Sequence, residues 1–126
     1  MSWQEYVDNN LVGSGKVTRA AILGQKGGVW AKSSGFEIPV AEQTAILNIF
    51  SNPENAQATG ARIAGVKYFA LQVTPQSFYG KKAADGCVIR KTKQAVIVTV
   101  YDAPVQAQEC TSTVESLGDY LESVGY

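Results

Sequence analysis

The side chains that most often carry out catalysis are sparse in this sequence. It has no histidine, so the most common general base, the usual partner of a nucleophilic serine or cysteine and the most common zinc ligand are all missing. Its two cysteines, Cys87 and Cys110, form no Cys-x-x-Cys motif, and we expect them to be buried free thiols in a reducing compartment, the cytoplasm. We therefore expect no catalytic residue, no metal and no cofactor, and we predict a protein that binds other macromolecules.

Two further groups of residues could suggest chemistry, and each has a simpler interpretation. The segment Gly80-Lys81-Lys82 lacks the full glycine spacing of a phosphate-binding loop and the serine or threonine that follows its lysine. Asp85 and Asp102 each lie at a predicted turn, where aspartate stabilises the local backbone. Neither nucleotide binding nor catalysis by paired carboxylates is therefore predicted.

Aromatic residues near both ends of the chain could form a binding groove. Trp3 and Tyr6 are three positions apart on a predicted first helix, and Tyr120 and Tyr126 lie at the end of the chain. If the terminal helices are neighbours, their rings form a shallow surface that suits a polyproline segment, since that ligand is already extended and packs against flat rings. The alternative is that Trp3 and Tyr6 are only the buried seam of a terminal helix, and spacing alone favours it.

The charges are unevenly distributed although the formal net charge is zero. Residues 62–93 contain seven bases and one acid, whereas residues 102–126 contain five acids and no base. This pattern predicts a basic face, an acidic last helix and a specific acidic partner, with no general affinity for nucleic acid. Alternatively, the lysines serve solubility and protect exposed strand edges.

The hydrophobic patterns predict one α+β domain over residues 1–126. A capping box of Ser2 and Glu5 predicts an opening helix, which ends at residues 13–15, and a hairpin of residues 17–23 and 29–33 follows. A short helix over residues 40–50 ends at residues 52–53. Strands are predicted at residues 66–73, 77–80, 87–90 and 95–101.

The last segment carries an apolar stripe that should lie on the sheet: Cys110, Val114, Leu117, Leu121 and Val124. With a helix at each end and strands between, we expect both terminal helices to pack side by side on one sheet face. No apolar run approaches about 20 residues, and residues 1–8 carry two acids and no base. We therefore expect neither a cleaved signal nor a membrane-embedded segment.

Several segments together resemble profilins of the shorter type found in lower eukaryotes and plants, and the resemblance runs from end to end. They are Trp3-Gln4-Glu5-Tyr6-Val7-Asp8, Val29-Trp30-Ala31, Lys81-Lys82, Arg90-Lys91-Thr92 and Leu117-Gly118-Asp119-Tyr120-Leu121. The resemblance implies a central antiparallel sheet of six or seven strands. The terminal helices would pack on one face of that sheet and smaller helices on the other.

The resemblance also implies a groove for proline-rich segments of actin-assembly proteins such as formins. The matching positions are Trp3, Tyr6, Trp30, Tyr120 and Tyr126. Tyr120 stands where animal members tend to have histidine, and it preserves a flat ring with a hydrogen-bond donor.

A second implied surface binds one actin monomer, and it is built from the later strands and the start of the last helix. The matching positions are Lys67, Lys81, Lys82, Arg90, Lys91, Val105, Thr111 and Ser112. Profilins also bind phosphatidylinositol 4,5-bisphosphate, for which the candidates are Lys81, Lys82, Arg90 and Lys91. Shared lysines would make lipid and actin compete.

We thus predict a cytoplasmic, cytoskeleton-associated protein that regulates actin polymerisation, delivers actin monomers to proline-rich factors and binds the phosphoinositide at the membrane surface. Three alternatives are open from sequence. They are a proline-peptide adaptor that has lost actin binding, a phosphoinositide-binding module and an unrecognised small enzyme. An actin pull-down, polyproline retention and liposome binding would distinguish the first two.

Overall fold

The computed structural model describes residues 2–126 and is built around one sheet of seven antiparallel strands in the order β2-β1-β7-β6-β5-β4-β3. Strand β1 pairs with both its hairpin partner β2 and the last strand β7. This pairing brings the two ends of the chain to the same part of the sheet. The strands are β1 (Arg19–Gly24), β2 (Val29–Lys32), β3 (Ala61–Ile63), β4 (Val66–Val73), β5 (Ser77–Lys82), β6 (Asp85–Lys91) and β7 (Ala95–Tyr101).

Helices cover both faces of this sheet. The amino-terminal helix begins as α1 (Trp3–Glu5) and continues as a π-helical segment (Tyr6–Leu11) and a 3₁₀ turn (Val12–Ser14). The other helices are α2 (Val40–Asn48), which continues into a 3₁₀ turn (Ile49–Ser51), α3 (Pro53–Thr59) and α4 (Ala107–Ser123).

The sheet separates two hydrophobic cores. Successive strand residues point to opposite faces, so Ile97 of β7 packs in the core with Val7 and Leu117 of the terminal helices. Its neighbour Val98 packs in the core with Ile46 of α2 on the other face. The expected α+β fold is therefore confirmed, with the terminal helices on one face and smaller helices on the other.

One helix and one strand were not predicted from the sequence. Asn52 and Pro53 end the α2 region as expected, but they also begin α3. The Asn52 side chain accepts a hydrogen bond from the Asn55 amide at 3.2 Å, and proline is well suited to the first helical position. The three-residue strand β3 follows directly after Gly60, where the backbone has a φ of 73°.

Two other details bear on the predictions. Both cysteines are free and buried, as expected. The apolar stripe of α4 is buried from Cys110 to Leu121, but Val124 is exposed because the helix ends at Ser123. Within residues 2–126, no helix has the length and apolar character needed to cross a bilayer.

Candidate functional site

The first helical turn starts at a capping box. The Ser2 hydroxyl accepts a hydrogen bond from the Glu5 amide at 3.1 Å, and the Glu5 carboxylate accepts one from the Ser2 amide at 3.1 Å. The reciprocal bonds satisfy two amides that have no partner inside the helix. They set the start of the helix at Trp3, which leaves that indole half-buried beside the sheet.

The five aromatic residues predicted to form a groove lie in one continuous cluster. The Trp3 ring centroid is 4.7 Å from that of Trp30, 5.2 Å from that of Tyr126 and 5.7 Å from that of Tyr6. Tyr6 in turn lies 6.4 Å from Tyr120. These separations are typical of interacting rings. We call this cluster the aromatic groove.

The rings of the aromatic groove differ in their exposure. Trp30, Tyr120 and Tyr126 are 38%, 51% and 44% exposed, whereas Tyr6 is buried. The buried-seam interpretation of Trp3 and Tyr6 therefore fits Tyr6, whereas Trp3 is only half-buried. Burial is the main cause that raises the pKa of the Tyr6 phenol, so this group remains a neutral hydrogen-bond donor at physiological pH.

A shallow depression of about 350 Å³ continues the aromatic groove between the two terminal helices. Tyr6 and Tyr120 form part of its wall, and Asn10, Thr113, Ser116 and Leu117 complete it. The depression thus combines flat rings with amide and hydroxyl groups that can donate hydrogen bonds. An extended ligand with exposed carbonyl groups fits this chemistry.

Two contacts fix the positions of Trp3 and Trp30, and neither contact was identified from the sequence. The Gln4 side-chain amide donates to the Lys32 carbonyl at 2.8 Å, which ties the first helical turn to strand β2. Gly24 lies under the indole of Trp30, and a Cβ atom at position 24 would be only 2.6 Å from its Nε1. A glycine is therefore required for Trp30 to lie where it does.

Three of the predicted basic residues lie on exposed strand surface. Lys67 on β4 and Lys81 and Lys82 on β5 are all exposed. Lys91 is half-buried and lies at the far end of β6. Lys81 of β5 lies opposite Gly86 of β6. Lys91 lies five residues beyond Gly86, which places it about 17 Å further along the strand. The four residues predicted to bind phosphoinositide therefore do not form one patch.

The prediction for Arg90 needs correction. Its side chain is only 1% exposed and lies between β6 and α4. The guanidinium donates to the carboxylates of Glu115 at 3.3 Å, Asp119 at 3.1 Å and Glu122. It also donates to the backbone carbonyl of Lys91 at 3.0 Å. Arg90 is therefore an internal link to the last helix and does not belong to an exposed basic surface.

The acidic residues of α4 explain this placement. Glu115, Asp119 and Glu122 recur at spacings of four and three on one side of the helix. Gly118 lies among them, and a Cβ atom there would be 2.7 Å from the Cγ of Arg90. Gly118 thus leaves room on the acidic side of α4 for the buried Arg90 side chain. The Glu-x-x-x-Asp-x-x-Glu spacing around a glycine was the feature of the sequence that could have indicated a buried basic residue against this helix.

Apolar residues that the sequence analysis did not single out lie beside the exposed lysines. Phe69 and Leu71 of β4 are 67% and 58% exposed. Phe69 pairs with Lys81 across the strands, and the Lys67 amine is 5.7 Å from the Phe69 ring centroid. Helix α4 packs on β6 and β7, whereas α3 packs on β4 from the other side, so the face of β4 that carries Phe69 and Leu71 is uncovered.

A depression of about 310 Å³ adjoins these residues at the start of the last helix. Its wall includes Leu71, Lys81, Tyr101, Pro104, Val105 and Gln106. Of the other predicted residues, Thr111 is half-buried and Ser112 is exposed, both near the start of α4. We call the area formed by Lys67, Phe69, Leu71, Lys81 and Val105 the sheet surface.

Comparisons with known proteins agree with the resemblance stated above. The family model described as Profilin matches residues 1–126. A profilin-1 of Dictyostelium discoideum is 52% identical over 127 residues, which cover 100% of both chains. The solved structure of Acanthamoeba castellanii profilin IB superimposes with a TM-score of 0.96 at 44% identity, over 99% of this chain and 100% of that one.

A more distant structure shares the fold. Mouse profilin IIa, in complex with a double repeat from the FH1 domain of mDia1, has a TM-score of 0.81 at 17% identity, and each chain is covered to 100%.

Proposed function

The chain belongs to the profilin family, and on that premise we propose that it binds monomeric actin through the sheet surface and proline-rich segments through the aromatic groove. It would then act in the cytoplasm as a regulator of actin polymerisation that delivers actin to proline-rich assembly factors, without chemistry of its own. The observation that carries the proposal is the continuous cluster of five aromatic rings drawn from both ends of the chain and from β2.

The aromatic groove suits a proline-rich ligand for physical reasons. A polyproline II helix is extended before it binds, so it loses little conformational entropy on docking. Its carbonyl groups have no competing intrachain amides and can accept hydrogen bonds from indole and phenol groups. The FH1 repeat bound to mouse profilin IIa supports this class of partner.

Calorimetric titration with an acetylated, amidated proline decamer tests the groove. Trp3→Ala and Tyr120→Ala should each lower the affinity at least about tenfold, since aromatic residues at the centre of an interface contribute disproportionately to binding. Phe69→Ala removes an exposed ring outside the groove and is the matched control. Unchanged affinity in both groove variants, with the fold intact by circular dichroism, would refute the assignment.

The sheet surface suits actin through a combination of apolar and basic groups. Phe69 and Leu71 expose apolar area of the kind that marks a protein interface, and Lys67 and Lys81 flank it with positive charge. Such charge accelerates association with an acidic partner and orients it, while the apolar contacts prolong the complex. Thr111 and Ser112 extend the proposed contact along α4.

Binding of fluorescently labelled monomeric actin tests the second surface. Phe69→Asp should weaken the complex at least about tenfold, since it removes the ring from the apolar contact and offsets the positive charge of the lysines beside it. Tyr120→Ala is the control, because it removes an exposed ring from the other site. If the wild-type protein binds the decamer but does not bind actin, the result would favour a proline-peptide adaptor.

We also propose that Lys81 and Lys82, at the exposed end of β5, attract phosphatidylinositol 4,5-bisphosphate, since exposed lysines favour an anionic membrane surface. Because Lys81 also belongs to the sheet surface, lipid and actin would compete. Vesicles containing this lipid should displace labelled actin from the wild-type protein. Simultaneous binding of both ligands would contradict a shared site.

A further inference from the structure

Two turns meet beside the aromatic groove and form a second depression there. The β1–β2 turn and the β6–β7 turn are joined by a hydrogen bond from the Gln25 amide to the Gln94 carbonyl at 3.0 Å. The Gln25 side chain also donates to the Thr92 carbonyl. The depression between the turns measures about 390 Å³ and is lined by Gly24, Gln25, Lys26, Gly27, Trp30, Lys93 and Gln94.

This depression is positively charged. Lys26 and Lys93, one from each turn, are both exposed. Among residues 2–126, no carboxylate lies within 4.0 Å of either amine. Neither lysine was part of the predicted sites. Two lysines that line one concave surface attract an anion more strongly than either would alone.

The depression is continuous with the aromatic groove. Trp30 lines it and also packs against Trp3 in the groove. Gln94, which follows Lys93, donates through its backbone amide to the main-chain oxygen of Tyr126 at 2.6 Å and through its side chain to the Gly125 carbonyl at 2.9 Å. The turn that carries Lys93 therefore also holds Tyr126, and the two sites share one framework.

A run of prolines alone cannot use these charges. The row of rings from Trp30 through Trp3 and Tyr6 to Tyr120 accommodates roughly five or six residues of a polyproline II helix, which rises about 3.1 Å per residue. A ligand that continued beyond this run on the Trp30 side would pass over the depression, because Trp30 lines both. A neutral side chain there would leave both lysines unpaired, whereas a carboxylate would pair with them.

We propose that Lys26 and Lys93 form a specificity site for an acidic residue that flanks the proline run of the ligand on the Trp30 side. The proposal rests on the proline-binding function proposed above and specifies its ligand further. An acidic flank at one end only would also select the direction in which the proline helix lies in the groove. The preferred ligand is thus a proline-rich segment with aspartate or glutamate just beyond one end.

Five blocked peptides test this specificity by calorimetry: a proline decamer, the decamer with two glutamates added before or after it, and the same two extensions made with glutamine. At low salt, one of the two glutamate peptides should bind about two- to tenfold more tightly than its glutamine counterpart, as expected for one or two exposed ion pairs. The ratio should approach one at 0.5 M salt, because such pairs are screened.

The variant Lys26→Gln/Lys93→Gln should abolish the glutamate-to-glutamine ratio. The matched control is Lys16→Gln/Arg62→Gln, which removes the same charge elsewhere and should keep the ratio. A ratio of one in wild type, with the plain decamer still bound, would overturn this proposal and leave the proline-binding function standing. Failure of all five peptides to bind would refute both.

Anionic vesicles provide the last arm of the experiment. If Lys26→Gln/Lys93→Gln weakens binding to vesicles containing phosphatidylinositol 4,5-bisphosphate while the wild-type peptide ratio is one, the depression serves lipid and the proposal is wrong.

Discussion

Replacing Arg90 with methionine should destabilise the protein without touching either proposed binding surface. Methionine keeps an unbranched apolar stem in the space between β6 and α4, so little packing is lost. What disappears is a buried cation that pairs with Glu115, Asp119 and Glu122. The three carboxylates would then repel one another on one side of α4.

The expected size of this effect follows from burial. Removing one partner of a fully buried ion pair costs about 3–5 kcal/mol. Here the arginine is 1% exposed, but the Glu115 and Glu122 side chains are 25% and 34% exposed and Asp119 is 74% exposed, so water can partly replace the lost donors. We therefore expect the free energy of unfolding to fall by about 2–3 kcal/mol.

Urea unfolding followed by circular dichroism measures this change, and Arg19→Met is the matched control. Arg19 pairs with Asp102 at 3.2 Å, but both side chains are about 40% exposed, and such surface pairs contribute less than about 1 kcal/mol. A loss below about 1 kcal/mol for Arg90→Met would refute this reasoning. Unchanged stability with weaker actin binding would instead show that Arg90 reaches the surface.

Three further changes test the framework around the sites. Gly118→Ala should lower the free energy of unfolding by about 1–3 kcal/mol in urea, since a Cβ atom 2.7 Å from the buried arginine outweighs the gain of about 1 kcal/mol in helix propensity. Gly24→Ala should weaken binding of the proline decamer in calorimetry, since it displaces the Trp30 indole. Urea midpoints should fall as the pH rises from 9 to 11, because burial raises the pKa of Cys110 from 9.0 to about 11. Above pH 9 the unfolded chain releases this proton first, which favours unfolding.

Each of these predictions has a result that would contradict it. A Gly118→Ala variant more stable than wild type would mean that Arg90 moves aside at little cost. Wild-type decamer affinity in Gly24→Ala would mean that the position of Trp30 does not matter. An equal fall of the urea midpoint between pH 9 and 11 in wild type and in Cys110→Ala would show that this thiol does not contribute to the alkaline loss.

The sequence alone determined those features that depend on residues close together in the chain. The capping box of Ser2 and Glu5 predicted where the first helix begins, because both hydrogen bonds lie within one turn. The apolar stripe from Cys110 to Leu121 predicted a helix with one buried face. Alternating β-rich runs predicted the meander, and the absence of histidine directed attention to binding.

The tertiary structure decided which of these residues became surface and which became core. Arg90 and Lys91 are neighbours in sequence, but successive residues of a strand point to opposite faces, and helix α4 covers Arg90 with three carboxylates. Lys26 and Lys93 come together only because β1 pairs with β7 and brings their turns side by side. Burial and proximity of this kind depend on contacts between distant segments, which local hydrogen bonding and hydrophobic spacing do not encode.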